Sequence, residues 1–271
     1  MSEKDPDIAF DFGANWIEFA SKSLETSDVD RARQDFKKLV RHGGVSKGSF
    51  LDIGFGQGLS ILVAAEMGLC ATGIDVNNKN CTAFVEVRKK FFPKLDTSIN
   101  LFIGSILNDE VTEMLQLEEP NGFDIVHAWG VLHHTGQLDR ALEKTVKLVS
   151  PTGCLILAIY TRHWSSPLWR VIKKSYCRVP AWGQRLFEGL FWPIVGIRVI
   201  LSKELRTGVG HRGMHFMSDL RDWLGGYPYE YMSVSEISDW AALHNLNVVF
   251  TRNAAGWTGC NEYVFKRKRE T

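Results

Sequence analysis

Between Phe50 and Gly58 the chain reads Phe-Leu-Asp-Ile-Gly-Phe-Gly-Gln-Gly, an apolar run that carries an acid, Asp52, and then places glycine at positions 54, 56 and 58. A helical pattern, Leu59-Ser-Ile-Leu-Val-Ala-Ala-Glu-Met67, follows at once. A strand that turns through glycines directly into a helix is how α/β proteins open a site for a nucleotide-like ligand. Glycine tolerates the left-handed backbone of such a turn and lets the main chain approach a ligand where a Cβ would stand.

Two details narrow the ligand. The dinucleotide fingerprint wants a small residue three positions after its second glycine, and Leu59 stands there. A carboxylate at Asp52 would repel a pyrophosphate seated on the positive end of the following helix. It suits a cation, and S-adenosylmethionine carries a sulfonium and an ammonium and no phosphate. Both details favour that cofactor over NAD.

With 271 residues and 45% hydrophobic content the chain can bury a core of one large domain, or of one domain with an insertion. Its net charge of +1 and pI near 7.7 provide no global field to attract nucleic acid. The five cysteines are odd in number and lack paired metal-ligand spacing, so neither a disulfide framework nor a metal site is expected. Cys70, Cys154 and Cys260 adjoin apolar runs and are expected to act as small buried hydrophobes. The polar start, Met1-Ser-Glu-Lys-Asp-Pro-Asp, lacks the apolar segment of a signal peptide, which makes the cytoplasm the expected compartment.

Residues 1–48 read as an N-terminal helical cap, with a helix from Asp28 closed at Gly43-Gly44. From Ser49 strands and helices alternate. Strands are expected at 49–53, 70–76, 98–103, 123–128 and 154–160, with helices to Met67, over 78–91 and from Leu138 to Val149. This pattern predicts a mostly parallel sheet with its ligands at the carboxyl ends of the strands. Residues 161–232, rich in tryptophan, Lys and Arg, interrupt it as a lid of short helices. The Ser-x-x-Glu capping box at Ser233 then opens a last helix, followed by strands from Leu246 and Glu262. Within the lid, Phe187–Leu201 is strongly apolar but too short and too interrupted to span a bilayer; it is expected as a buried helix, with an interfacial helix that touches a membrane or a greasy substrate as the alternative.

The ordered set Leu51-Asp-Ile-Gly-Phe-Gly-Gln-Gly58, Gly73-Ile-Asp-Val76, Ile103-Gly-Ser105 and Phe123-Asp-Ile-Val-His-Ala-Trp-Gly-Val-Leu-His-His-Thr-Gly136 resembles the class I, Rossmann-like methyltransferases that use S-adenosylmethionine. The flanks resemble a bacterial subgroup of mostly unassigned substrate. The resemblance implies an α/β fold with a seven-stranded, mostly parallel sheet whose last strand is antiparallel. Residues 49–160 and 233–271 would form the core, and 161–232 the lid. It also implies roles. Asp52 would meet the methionine ammonium, and Gly54, Gly56 and Gly58 would pass under the methionine and ribose. Asp75, followed by Val76, would take the ribose hydroxyls. Ser105 and Ile106 would flank the adenine, although the family often has Asp at the first position. The backbone at Ala128 and Trp129 would complete the ammonium site, with Phe12, Asn15 and Trp16 as a cap.

Methyl transfer is an in-line displacement, aided by a general base when the nucleophile is a hydroxyl or a protonated amine. His133 and His134, just past the fourth strand, are the candidates, and histidine titrates in the right range. Tyr160, His163, His211, His215, Tyr227, Tyr229 and Glu230 are candidates to line the acceptor pocket. The reading is O-methylation of a small molecule. The alternatives are a tRNA wobble-base methyltransferase, a non-catalytic cofactor-binding partner subunit and, third, a nicotinamide oxidoreductase. Calorimetry on the full chain is expected to show S-adenosylhomocysteine binding and no NAD binding; the reverse would overturn the cofactor assignment.

Overall fold

A computed structural model describes residues 24–201, 216–254 and 259–268. Phe12, Asn15, Trp16, His211 and His215 lie outside the described residues. In chain order the elements are α1 (Thr26–Gly43), β1 (Ser49–Ile53), α2 (Leu59–Glu66), β2 (Cys70–Asp75), α3 (Lys79–Phe91), β3 (Asn100–Ile103), α4 (Asp109–Glu118) and β4 (Phe123–Trp129). A single 3-10 turn (Leu132–His134) leads to α5 (Leu138–Lys147) and β5 (Val149–Tyr160). The lid supplies α6 (Ser166–Arg178), α7 (Ala181–Leu201) and α8 (Phe216–Gly225). Then α9 (Val234–Leu243), β6 (Leu246–Arg252) and β7 (Cys260–Arg267) close the chain.

The seven strands run in the order β3-β2-β1-β4-β5-β7-β6. Pairings among β3, β2, β1, β4 and β5 are parallel, and β7 is antiparallel to both of its neighbours. The order reverses at β1, so the carboxyl ends of β1 and β4 flank the crevice where such sheets bind ligands. One apolar layer joins α1, α2 and α3 to Phe50, Ile125, Ile156 and Val264. The other joins α4, α5 and α9 to Leu51, Val126, Leu155 and Phe265. The alternation of strand residues between two buried layers is why these strands read as continuous apolar runs.

Local chemistry explains most boundaries. Gly44 adopts φ 66° and its N–H closes α1 on the Val40 and Arg41 carbonyls. Ser233 Oγ accepts from the Glu236 N–H at 3.2 Å while Glu236 Oε2 accepts from the Ser233 N–H at 2.7 Å, as the capping box requires.

The structure also departs from the sequence reading. Helix α4 is absent from that reading, although Asn108 Oδ1 caps it by accepting from the Glu110 N–H at 3.0 Å. β5 begins at Val149, because the Ser-Pro-Thr-Gly segment is absorbed as an irregularity in its pairing with β4. Cys70 is exposed at the start of β2, Cys260 is half-buried, and only Cys154 is enclosed. Among the described side chains of α7, Phe187, Glu188 and Phe191 turn inward while Leu186 and Leu190 do not, so this part of the helix is not fully buried. Replacing Ser233 with Ala removes one side of the capping box and is expected to lower unfolding free energy by about 1 kcal/mol. The denaturation midpoint should drop with an unchanged denaturant slope.

Candidate functional site

The turn after β1 is built as its glycines require. Gly54, Gly56 and Gly58 have φ of 73°, 53° and 83°, all left-handed. A Cβ on Gly54 would lie 2.4 Å from the Val131 side chain, and one on Gly58 2.3 Å from the Phe84 ring. Turn and neighbours are therefore packed against the bare backbone. Asp75, at the end of β2, faces this turn. Its Oδ2 accepts from the Gly56 N–H at 3.0 Å and its Oδ1 from the Asn77 N–H at 2.9 Å. Burial raises its pKa, opposed by these two bonds and by Asn80. Val76, next in the chain, is exposed.

Asp52 and His127 sit opposite one another in the β1–β4 register, so their side chains share one face of the sheet. The His127 Nδ1–H donates to Asp52 Oδ1 at 2.6 Å, and the two residues are 1% and 2% exposed. Phe36 of α1 packs on the imidazole edge-on at 5.6 Å and Trp129 stacks on it at 5.7 Å. His127 Nε2 is buried without a hydrogen-bond partner. His127 was not singled out from the sequence. The signal was present, because Asp52 and His127 fall on aligned strands with the same inward parity.

Ser105 and Ile106 follow β3. Ser105 Oγ accepts from the Leu107 N–H at 3.1 Å, and the Ile106 side chain is in the core. Ala128 is likewise in the core, and the Gly130 N–H donates to the Ala158 carbonyl at 3.1 Å, joining the ends of β4 and β5.

His133 and His134 form the one-turn helix just beyond β4. A strap, Tyr227–Met232, crosses above them. His134 Nδ1 lies 2.8 Å from the Pro228 carbonyl, so it is the donor and the lone pair is on Nε2. His133 Nδ1 accepts from the Tyr160 N–H at 3.3 Å, so its proton is on Nε2. The Glu230 N–H donates to the His133 carbonyl at 3.0 Å and the Met232 N–H to the Tyr160 carbonyl at 3.0 Å. The two histidines differ in tautomer: His134 carries its proton on Nδ1, whereas the His133 Nδ1 is an acceptor engaged by the Tyr160 main chain.

The Tyr160 ring touches both imidazoles, 4.1 Å from His133 and 5.5 Å from His134, and lies 4.9 Å from Tyr229. Lys173 of α6 completes this cluster and was not foreseen. It is 0% exposed, donates to the Trp223 carbonyl, and lies 5.4, 5.1 and 4.7 Å from the rings of Tyr160, Tyr229 and Trp223. The aromatic faces stabilise its ammonium. Burial pushes Tyr229 up to about 12 and His134 down to about 4, and the Lys173 charge pushes both histidines down further.

Other candidates sit elsewhere. His163 Nδ1 pairs with Ser165 Oγ at 2.8 Å at the start of α6. Glu230 Oε1 accepts from the Leu138 N–H at 3.2 Å, capping α5, and burial raises its pKa. Tyr227 carries Lys174 over its ring at 5.8 Å. Among the described residues no group of three His, Cys, Asp or Glu is arranged to hold a metal ion.

Comparison with known proteins gives a consistent picture. A family model described as methyltransferase domain matches residues 26–249. The ubiquinone biosynthesis O-methyltransferase of Nitrosospira multiformis is 26% identical over 138 residues, 51% of this chain and 54% of that protein. The chain thus spans about half the length of that curated relative. Two solved structures share the fold. Magnesium protoporphyrin IX methyltransferase from Synechocystis PCC 6803 with bound SAH is 13% identical with TM-score 0.54, covering 94% of both chains. PKMT2 from Rickettsia typhi is 14% identical with TM-score 0.56, covering 91% of this chain and 53% of that one.

The depressed histidines predict a pH effect on stability. In the unfolded chain His134 titrates near 6.5, in the fold near 4, so between those values the unfolded chain binds more protons. Stability therefore falls as pH falls through this window, and His133 acts in the same direction. Asp75 and Glu230, raised by burial, act in the opposite direction. The diagnostic is the difference from His134→Gln, which is expected to lose less stability between pH 6.5 and 4 than the parent in urea titrations. Parallel curves would refute it.

Proposed function

The chain belongs to the methyltransferase-domain family, whose chemistry is methyl transfer from S-adenosylmethionine, and we propose that it methylates an acidic hydroxyl of a small, partly apolar molecule, with His134 as general base. The observation that carries this reading is the His134 Nδ1–H···O contact to Pro228 at 2.8 Å, which orients Nε2 as a proton acceptor at the carboxyl end of β4. The O-methyltransferase name of the curated relative supports an oxygen acceptor.

The residues after β1, β2 and β4 fit the cofactor. The left-handed turn at Gly54, Gly56 and Gly58, held by Val131 and Phe84, would bring the main chain close to it, and Asp75, oriented by two N–H donors, retains lone pairs for the ribose hydroxyls. Asp52, turned toward His127, would balance the methionine ammonium, with the Ala128–Trp129 backbone completing that end. When bound, the cofactor supplies an electrophilic methyl carbon on a sulfonium.

The protein's own work is then to align the nucleophile and remove its proton. As the acceptor oxygen bonds to the methyl carbon, its proton passes to His134 Nε2. A base held near pKa 4 stays neutral throughout the physiological range but is weak. It matches an acidic hydroxyl such as a phenol better than an aliphatic alcohol, because proton transfer is most effective between groups of similar pKa. The buried Lys173 ammonium favours negative charge developing on that oxygen. Tyr160 and Tyr229 supply the apolar walls that exclude water.

Untargeted metabolite profiling with methyl-labelled cofactor identifies the acceptor. On that acceptor, His134→Gln is expected to lower kcat by roughly 10²-fold or more. Its S-adenosylhomocysteine affinity by calorimetry should match the parent. Undiminished kcat would eliminate His134 as the base.

A further inference from the structure

Helix α7 has two unlike faces. Phe187 and Phe191 turn inward and join Tyr176, Leu220 and Leu224 in a small lid core. Trp182, Leu186 and Leu190, at steps of four, are 69%, 66% and 66% exposed, and Trp192 is 54% exposed. On the preceding helix Leu168 and Val171 are also exposed. Single exposed apolar residues are ordinary, but an apolar stripe on one helix face marks a surface that meets something else.

Charge identifies the partner. Residues 161–201 contain seven Lys and Arg against one Glu, in a chain whose net charge is only +1. That one acid, Glu188, is buried, where it accepts from the Tyr176 hydroxyl at 3.0 Å and pairs with Arg221 at 3.3 Å. Among the described residues of α6 and α7 the exposed surface is therefore apolar and cationic, with no exposed carboxylate. Arg185 stands on the same face of α7 as Trp182 and Leu186, and Arg178 is exposed at the end of α6. A second copy of this chain would bring like charges together. An anionic lipid surface offers what both components want, since tryptophan and basic side chains favour the headgroup layer while leucine enters the acyl boundary. No helix among the described residues is long and apolar enough to cross a membrane, so α7 would lie in the plane.

We propose that the exposed face of α6 and α7 docks the enzyme peripherally on an anionic phospholipid bilayer, with Trp182, Leu186 and Leu190 entering the interface and Arg178 and Arg185 facing the phosphates. The inference stands on the lid surface and is independent of the acceptor assigned above.

Vesicle sedimentation of the full chain without acceptor tests it. Binding to vesicles of phosphatidylcholine with phosphatidylglycerol is expected, with a blue shift of tryptophan emission, and with little binding to phosphatidylcholine alone. Salt near 1 M, where screening acts within about 3 Å, should release most of the protein. W182S/L186S/L190S and R178E/R185E are each expected to bind roughly tenfold more weakly. Unchanged S-adenosylhomocysteine affinity would show that the fold is intact in each variant. Absence of wild-type binding to the anionic vesicles would overturn the proposal, as would variants that bind as the parent does. So would a wild-type dimer that ignores vesicles and that W182S/L186S/L190S converts to monomer.

Discussion

The hydrogen bond from the Gly56 N–H to the Asp75 carboxylate is the contact on which the site depends. It links the turn after β1 to the end of β2 and fixes a buried carboxylate against the glycine turn. Three left-handed residues in five positions would be strained in any other residue type. Their packing against Val131 and Phe84 converts that conformational freedom into a rigid cradle.

Beneath the cradle lies a second polar pair, Asp52 and His127, enclosed by Phe36, Phe50 and Trp129. A buried carboxylate without a partner is costly, and a short hydrogen bond to imidazole reduces that cost. It also prevents the carboxylate from turning away from the crevice. Helix α1, which covers this pair, is thus part of the site as well as part of the core.

The cluster around His133 and His134 is organised differently. Here the strap from Tyr227 to Met232 pins His133, His134 and Tyr160 through main-chain contacts, so the residues that hold the histidines lie almost a hundred positions away in the chain. Lys173 enters from the lid, and its charge adds to burial in holding both histidines below their ordinary range. The glycine turn and the histidine cluster are thus separable: one is built from adjacent strand ends, the other from elements brought together by the lid.

This separation explains what could be read from residues alone. The seven strands, the glycine turn, the Asp75 carboxylate and the Ser233 cap were legible because each is local, written in periodicity, φ requirements or a spacing of three. Helix α4 was missed because its apolar pattern is short, and the onset of β5 because Pro151 and Gly153 resemble a turn when pairing is ignored. The sequence by itself determined the kind of fold and the kind of cofactor, since both follow from backbone geometry within a few residues. Only the tertiary structure decided which tautomers His133 and His134 adopt, that His127 holds Asp52, that Lys173 is buried among aromatics, and that Trp182, Leu186 and Leu190 of α7 face outward. Each of these depends on which distant group fills the space beside a side chain, and spacing along the chain does not carry that information.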